Sequence, residues 1–233
     1  MFGDLIYFNK NKIEQYSALI REENIEVKES EENISNKKAN YLLKCSEFER
    51  LLQQRDDYFD YVDVNQEILI KDVRISSIIR VTGEIYVPEQ FDIIQLIDEY
   101  KSQFLSELDY KDKEEQELLN AIFKNTKMRI PIYCELNGNC DYWLGIGKAI
   151  PDNLLIEYNE LEDYEGKEVT IIAKLEARKF YKDKPLSVFD IYKDFLGFNR
   201  TLRKQMVTNQ RQEFESIDVE EDYLSLELLA IYG

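Results

Sequence analysis

The sequence predicts an α+β protein with a mixed, mostly antiparallel sheet and packed amphipathic helices. Apolar and polar residues alternate in two stretches, 78–87 and 169–178, as in strands with one buried face, because successive side chains of a strand point to opposite faces. The run Asn137-Gly138-Asn139 lies between two further alternating stretches and indicates a hairpin turn. Hairpins and an irregular order of strands and helices argue against a doubly wound parallel fold.

The N-terminal third is predicted to hold short strands and two helices. Residues 4–8 form a short apolar strand, and Asn9 can cap the helix that follows. The inner face of that helix carries four apolar side chains, Ile13, Tyr16, Leu19 and Ile20. Residues 29–38 are polar and predict an exposed loop, and residues 41–45 predict a strand.

A second helix is predicted to begin at Ser46. Ser46 with Glu49 three residues later has the form of a capping box, in which each side chain bonds a backbone N–H of the first turn. The apolar residues Phe48, Leu51 and Leu52 would face inward.

The middle of the chain predicts a strand, two helices and a hairpin. Pro88 ends the strand at 78–87, and apolar residues return at helical spacing from Phe91 to Leu108, with a second helix at 112–124. Pro131 places the first hairpin strand at an edge or a bulge, since proline cannot donate to the ladder.

The return strand of the hairpin contains Gly145 and Gly147. The stretch Gly145 to Lys148 lacks the glycine spacing and the hydroxyl residue of a phosphate loop. We therefore predict that the two glycines allow close backbone packing, and that residues 154–156 add a third strand.

The stretch 166–206 predicts a strand followed by a helix and is the expected anchor of the core. Ile172 is the one apolar residue on the polar face of the strand, and the helix is expected to open at Pro185 and Ser187. Residues 209–221 are polar and predict a loop. The terminal stretch 224–231 is apolar on both faces, which indicates a central strand.

The length of 233 residues allows one large core, and we expect residues 1–233 to form a single α+β unit. The alternative is a division into 1–110 and 128–233 with a helical connector.

The chain is acidic, with 47 Asp and Glu against 30 Lys and Arg and a formal net charge of −17. This balance disfavours a nucleic-acid-binding surface and docking on an anionic membrane. Solubility is the simplest explanation of the acidity. The alternative is nucleic-acid mimicry, which requires carboxylates gathered on one face.

The chain has three cysteines and no histidine. The missing histidine excludes Ser-His-Asp and Cys-His catalysis and every zinc site that mixes His with Cys. The odd cysteine count predicts free thiols in a reducing compartment. We expect no cofactor, no signal peptide, no span of ~20 apolar residues, and a cytoplasmic location.

Two Glu-x-Lys triplets loosely fit the pattern of a magnesium-dependent nuclease. They are Glu26-Val27-Lys28 with Asp4, and Glu165-Gly166-Lys167 with Asp152. Such an enzyme places Glu and Lys on a strand with an upstream Asp, to hold the metal and activate water. A chain so rich in Glu and Lys produces these triplets by chance, so the sequence favours a non-enzymatic protein.

One basic cluster stands out in this acidic chain, and it includes Asn199, Arg200 and Arg203. Cations near a helix C-terminus stabilise the helix dipole, which is the structural interpretation. The functional interpretation is a contact with an anion or a partner protein.

Four stretches, in the opening, middle and end of the chain, together resemble a bacterial family known as a domain of unknown function. They are the opening strand and helix at 5–13, the strand at 81–85 with its helix, and the closing stretches at 198–203 and 228–232. Some members of that family resemble the small component of the two-gene Dodola anti-phage system, whose other component is a Clp-type AAA+ ATPase.

The resemblance implies a role in bacterial defence against phage and no established activity. The first hypothesis is a non-enzymatic component that works with a Clp-type AAA+ ATPase as adaptor, sensor or client. The alternatives are a carboxylate and magnesium-dependent nuclease-like enzyme, and an acidic nucleic-acid mimic or inhibitor. Under the first hypothesis, Asn199, Arg200 and Arg203 are the candidate contact residues.

Overall fold

The computed structural model of the chain describes residues 4–21, 34–54, 61–63, 70–95, 128–137, 142–190, 193–194 and 216–233. The chain divides into two compact units. The first comprises Met1–Tyr86, Ile132–Phe180 and Asp222–Gly233, and the second comprises Val87–Pro131 and Tyr181–Glu221. The second unit is therefore built from two excursions of the chain out of the first.

The described residues contain nine strands and two long α-helices. In chain order they are β1 Leu5–Phe8, α1 Lys10–Arg21, α2 Ile34–Gln54, β2 Tyr61–Asp63, β3 Ile78–Tyr86, β4 Ile130–Asn137, β5 Tyr142–Ala149, β6 Glu168–Lys179, β7 Leu186–Asp190, β8 Ser216–Val219 and β9 Tyr223–Tyr232. Residues 89–95 are also helical. The mixture of helices with a mostly antiparallel sheet confirms the predicted α+β class.

The sheet of the first unit closes on itself, which the sequence did not predict. The ring order is β3-β4-β5-β9-β6 and back to β3, and β5 and β9 form its parallel pair. In their order along the chain these strands run first, second, third, fifth, fourth. This order, with the third and fifth strands parallel, is the connectivity of the OB-fold, a five-stranded Greek-key barrel.

Apolar side chains from all five strands fill the barrel. On β3 and β6, Val81 stands opposite Ile171 and Ile79 opposite Ala173, and all four are fully buried. This confirms the alternation predicted for the two strands.

The glycines of β5 leave the room that neighbouring leucines occupy inside the barrel. A Cβ on Gly147 would lie 2.4 Å from Cγ of Leu228, and a Cβ on Gly145 would lie 2.7 Å from Cδ1 of Leu226. Real Cβ atoms essentially never make contacts that short, so neighbours do pack closely on these glycines. The neighbours are leucine side chains, however, and not the backbone that was predicted.

A second core lies on the outer side of the same wall. Strands β1 and β2 extend the sheet beyond the ring by pairing with β9 and β3, and α1 packs against α2. Ile172 is fully buried in the cluster that these helices make with the sheet. Ile172, the one apolar residue on the otherwise polar face of β6, therefore packs between the barrel wall and a helix layer formed by α1 and α2.

The opening and closing stretches fold as predicted, with one exception. Asn9 caps α1, and its Oδ1 accepts a hydrogen bond from the backbone N–H of Lys12 at 3.3 Å. Leu19 was expected inside but is 38% exposed. Strand β9 is central, because it pairs with β1, β5 and β6.

Three predictions between residues 29 and 49 are wrong. Residues 41–45 are helical, residues 34–38 are helical and not a loop, and Ser46 lies inside α2 instead of capping it. The buried positions Tyr41, Cys45, Phe48 and Leu52 have helical spacing across the whole segment. The prediction of a helix start at Ser46 therefore split one continuous helix into a strand and a shorter helix.

Three further predictions are corrected in the second half. Residues 186–190 form β7 and not the start of a helix, and β8 lies within the stretch predicted as a loop at 209–221. Residues 154–156 make only one isolated bridge, from Leu154 to Tyr7. The helix predicted from Phe91 is present at 89–95, while its continuation to 108 and the helix at 112–124 lie outside the described residues.

Candidate functional site

The basic cluster predicted as a contact site, Asn199, Arg200 and Arg203, lies outside the described residues, as do Glu26 and Lys28. The other nuclease-like triplet is described. Glu165, Gly166 and Lys167 form a turn, in which Gly166 has a φ of 68°. Asp152 belongs to a short 3-10 helix. The triplet therefore lacks the strand geometry that the nuclease hypothesis requires.

The connection between β5 and β6 forms an exposed acidic surface. We call residues 150–167 the acidic connector. Its six acidic residues are all exposed, and they are Asp152, Glu157, Glu160, Glu162, Asp163 and Glu165. Lys167 is its only cationic residue.

The acidic connector is held in a defined shape. A 3-10 helix over Tyr158–Tyr164 begins with reciprocal capping, in which the backbone N–H of Glu157 donates to Oε2 of Glu160 at 2.7 Å. Leu161 is buried and anchors the connector to the first unit. Backbone of the connector also joins β1, because the N–H of Leu155 donates to the carbonyl of Ile6.

Beside the acidic connector lies a groove of about 470 Å³. We call it the mixed-charge groove. It is lined by Asp4, Lys38, Ile156, Glu160, Asp163, Tyr164, Lys167 and Gly233. Four separate parts of the chain meet there: the start of β1, the first half of α2, the acidic connector and the end of β9.

Charges of both signs line the mixed-charge groove. The side chains of Asp4, Asp163 and Lys38 make no ion pair or hydrogen bond with the described residues. Lys167 lies 5.3 Å from the centre of the Tyr164 ring, a cation–π distance. Burial raises the pKa of Tyr164, and the carboxylates of Asp4, Glu160 and Asp163 raise it further.

A half-buried ionic network fixes α2, which carries Lys38, against the sheet. Glu49 Oε1 lies 3.4 Å from Nε of Arg80 and accepts a hydrogen bond from the Tyr232 hydroxyl at 3.1 Å. Oδ2 of Asp63 lies 3.4 Å from Nη1 of Arg80. Burial raises the pKa of Glu49, and the bonds from Tyr232 and Arg80 offset only part of that shift. The network therefore holds two carboxylates and one guanidinium.

A second network fixes α1, which precedes α2, to the same sheet. Lys12 Nζ lies 2.7 Å from Oε1 of Glu227, and the Tyr16 hydroxyl donates to the other oxygen of that carboxylate. Burial raises the pKa of Glu227, but these two bonds and the charge of Lys174 outweigh it, so the pKa is lowered. We assign both networks a structural role.

The two described cysteines are buried free thiols, as predicted. Burial raises the pKa of Cys45 and of Cys134 to about 12. A thiol with such a pKa stays protonated at neutral pH and is a poor nucleophile. Among the described residues, no group of three or more Cys, Asp and Glu side chains is placed to hold a metal ion.

The mixed-charge groove was not predicted from the sequence. Its residues come from four distant segments, and only the acidic run of the connector is visible in the sequence. Comparison with protein-family models, with curated proteins and with solved structures returns no match. Within the described ranges, no helix has the length and apolar character needed to cross a membrane.

Proposed function

We propose that this protein is a non-enzymatic component of a bacterial anti-phage defence system and acts with a Clp-type AAA+ ATPase as adaptor, sensor or client. The observation that carries the proposal is the mixed-charge groove, an open surface where the side chains of Asp4, Asp163 and Lys38 make no ion pair or hydrogen bond with the described residues. Unpaired charges at an open groove favour contact with another protein. The chain resembles a family with some members similar to the small Dodola component, and this resemblance implies a Clp-type AAA+ ATPase as the partner.

The barrel supports a binding role by analogy of fold. Its interior is filled by leucines packed against Gly145 and Gly147, so a ligand must bind the outer surface. OB-fold barrels use the loops after their first and fourth strands to bind oligonucleotides and oligosaccharides. In this chain those two loops are the excursions 87–129 and 180–222, which make up most of the second unit. Analogy of fold suggests where binding occurs and does not identify the partner.

A second candidate function is the acidic nucleic-acid mimic, and the acidic connector favours it. Six exposed carboxylates within one short connection offer a compact negative surface. A mimic competes with DNA for a basic partner, whereas an adaptor of an ATPase does not need to. Adding duplex DNA to the isolated complex separates the two functions, because only a mimic is displaced by it.

The proposed function is tested by purifying the tagged protein from its native bacterium and identifying bound proteins by mass spectrometry. We expect a Clp-type AAA+ ATPase in the eluate. We also expect deletion of the gene to increase phage plating, and the restored gene to reverse that increase. If the eluate contains no AAA+ ATPase and deletion leaves phage plating unchanged, the proposed function is wrong.

Paired variants test whether the acidic connector contributes to the contact. The double variant Glu162→Lys with Glu165→Lys reverses two exposed charges on the connector. We expect the ATPase recovered at low salt to fall by about threefold or more, since charges at the rim of an interface act mainly on association. The matched control, Asp72→Lys with Glu135→Lys, changes the net charge equally at exposed positions outside the acidic connector and outside both excursions. Equal losses in both variants would assign the effect to net charge alone.

A further inference from the structure

Strand β2 is the shortest strand in the described part of the chain, and it joins the sheet through β3. In the register of this parallel pair Asp63 stands opposite Arg80, and Oδ2 of Asp63 lies 3.4 Å from Nη1 of the guanidinium. We propose that Asp63 and Glu49 compete for the charge of Arg80, and that protonation of Glu49 strengthens the attachment of β2 to the barrel. This coupling does not depend on the partner named in the proposed function.

The guanidinium of Arg80 serves two carboxylates from different elements. Its Nε lies 3.4 Å from Oε1 of Glu49 on α2, while its Nη1 faces Asp63 on β2. The side chain of Glu49 is 15% exposed and that of Asp63 is 21% exposed, so salt screens their charges less than at an open surface. When both carboxylates are ionised, the three groups together carry a net negative charge. The two anions then repel each other across the shared cation.

The titratable groups around Glu49 in the described ranges come from four elements. They are Cys45 on α2, Tyr61 and Asp63 on β2, Arg80 on β3, and Tyr232 on β9, whose hydroxyl donates to Oε1 of Glu49 at 3.1 Å. Burial raises the pKa of Cys45 and of Tyr232 to about 12, and it also raises the pKa of Tyr61. The thiol and both phenols therefore stay neutral between pH 5 and pH 7, so any change of charge in this range falls on the carboxylates.

Proton binding at Glu49 and the attachment of β2 favour each other. Burial is the main cause that raises the pKa of Glu49, and the charge of Asp63 raises it further. Detaching β2 removes Asp63 and the ring of Tyr61 from this carboxyl group, so the detached state binds the proton less tightly. The attachment therefore strengthens as the pH falls from 7 towards 5, and it weakens again as the pH rises.

Tyr61 makes the attachment of β2 sensitive to this one charge. Its side chain packs against the core that α1 and α2 form with the sheet. Its hydroxyl is buried, however, and has no hydrogen-bond partner among the described residues. A buried hydroxyl without a hydrogen bond opposes the apolar contact of the ring. The ion pair of Asp63 with Arg80 is therefore an important part of what holds β2 in place.

Amide hydrogen exchange of residues 61–63, corrected for the intrinsic rate at each pH, measures the attachment in the full chain. We expect protection at these amides to rise about threefold between pH 7 and pH 5, as for one partly exposed ion pair. Amides in the middle of β6 report on unfolding of the whole first unit and should respond less. A change in overall stability alone would not separate the two strands in this way.

Three variants assign the pH response to the pair of carboxylates. Glu49→Gln imitates the protonated group and should give the higher protection of residues 61–63 at both pH values. Asp63→Asn should lower that protection at both pH values and reduce the pH response. The control Glu47→Gln changes a glutamate of the same helix that pairs with Arg21 instead, and it should keep the response of the wild type.

Titration of the side-chain carboxyl carbon of Glu49, followed by NMR, supplies a readout that does not depend on the stability of β2. Asp63→Asn removes the neighbouring negative charge and should lower the pKa of Glu49. The coupling is ruled out by an unchanged pKa in Asp63→Asn, by equal protection of residues 61–63 in the wild type at pH 5 and pH 7, or by a pH response that survives in Glu49→Gln. Loss of the response in Glu47→Gln would equally contradict it.

Discussion

Three glutamates stand side by side across the barrel wall, and this row predicts an unusual gain in stability. Glu84 on β3 is directly opposite Glu168 on β6 and Glu135 on β4, and all three are exposed. Directly opposite side chains on neighbouring antiparallel strands have Cβ atoms about 4.5–5.5 Å apart, so their like charges repel. The substitution Glu84→Lys converts two repulsive pairs into two attractive ones.

The expected change in the free energy of unfolding follows from the number of cross-strand charge pairs that Glu84 makes. An opposite-charge cross-strand pair contributes roughly 0.2–1 kcal/mol, and a like-charge pair is unfavourable by a similar amount. Changing both pairs of Glu84 should therefore raise the free energy of unfolding by about 1–2 kcal/mol. Glu and Lys are similarly disfavoured in strands, so intrinsic propensity adds little. Glu84→Gln removes the repulsion without adding attraction and should give about half the gain.

Urea unfolding followed by circular dichroism measures the effect at low salt and at 1 M NaCl. The Debye length falls from about 10 Å at 0.1 M to about 3 Å at 1 M, which is shorter than the spacing of the pairs. The gain should therefore shrink strongly in 1 M salt. The reasoning is refuted if Glu84→Lys is no more stable than Glu84→Gln at low salt, or if its gain is the same at both salt concentrations.

Three other predictions concern the two cores and the ionic network beneath α2. Gly147→Ala places a methyl group against Leu228 and should destabilise the protein by about 1–3 kcal/mol in urea unfolding; an unchanged midpoint would show that the barrel interior has spare room. Ile172→Ala empties part of the outer core and should cost about 2–5 kcal/mol, whereas Thr170→Ala on the same face should cost far less; equal costs would contradict the second core. Burial raises the pKa of Glu49 above its usual value of 4.5, so the folded protein binds a proton at this carboxyl group more tightly than the unfolded chain does. Protonation of Glu49 therefore stabilises the folded state increasingly as the pH falls towards 4.5. The unfolding free energy of wild type relative to Glu49→Gln should therefore rise between pH 7 and pH 5, and a fall in that difference would contradict the raised pKa.

The strands were predictable where one face of the sheet meets a core and the other meets solvent. Strand β3 has that environment, so its alternation is visible in the sequence. The terminal strand β9 was predicted from apolar residues on both faces. The helical spacing of the apolar residues in α2 is visible in the sequence. Ser46 and Glu49 resemble a capping box, however, so a helix start was predicted inside this continuous helix.

Closure of the barrel and the mixed-charge groove could not be predicted, because both depend on contacts between distant segments. Closure requires β5 to lie parallel to β9, and no local pattern marks that pairing. The groove brings Lys38 near Asp163 only after α2 has packed on the sheet. Pro185 and Ser187 suggested the start of a helix. The structure instead has strand β7 there, in which Val188 and Phe189 are buried.

Strand β6 is shared by both cores of the first unit, and this has a consequence for how the unit unfolds. Val169, Ile171 and Ala173 face the barrel interior, while Ile172 between them faces the helix layer. Neither core can lose this strand without exposing the other. The barrel and the helix layer should therefore open together as one cooperative unit, with the slowest amide hydrogen exchange in the middle of β6.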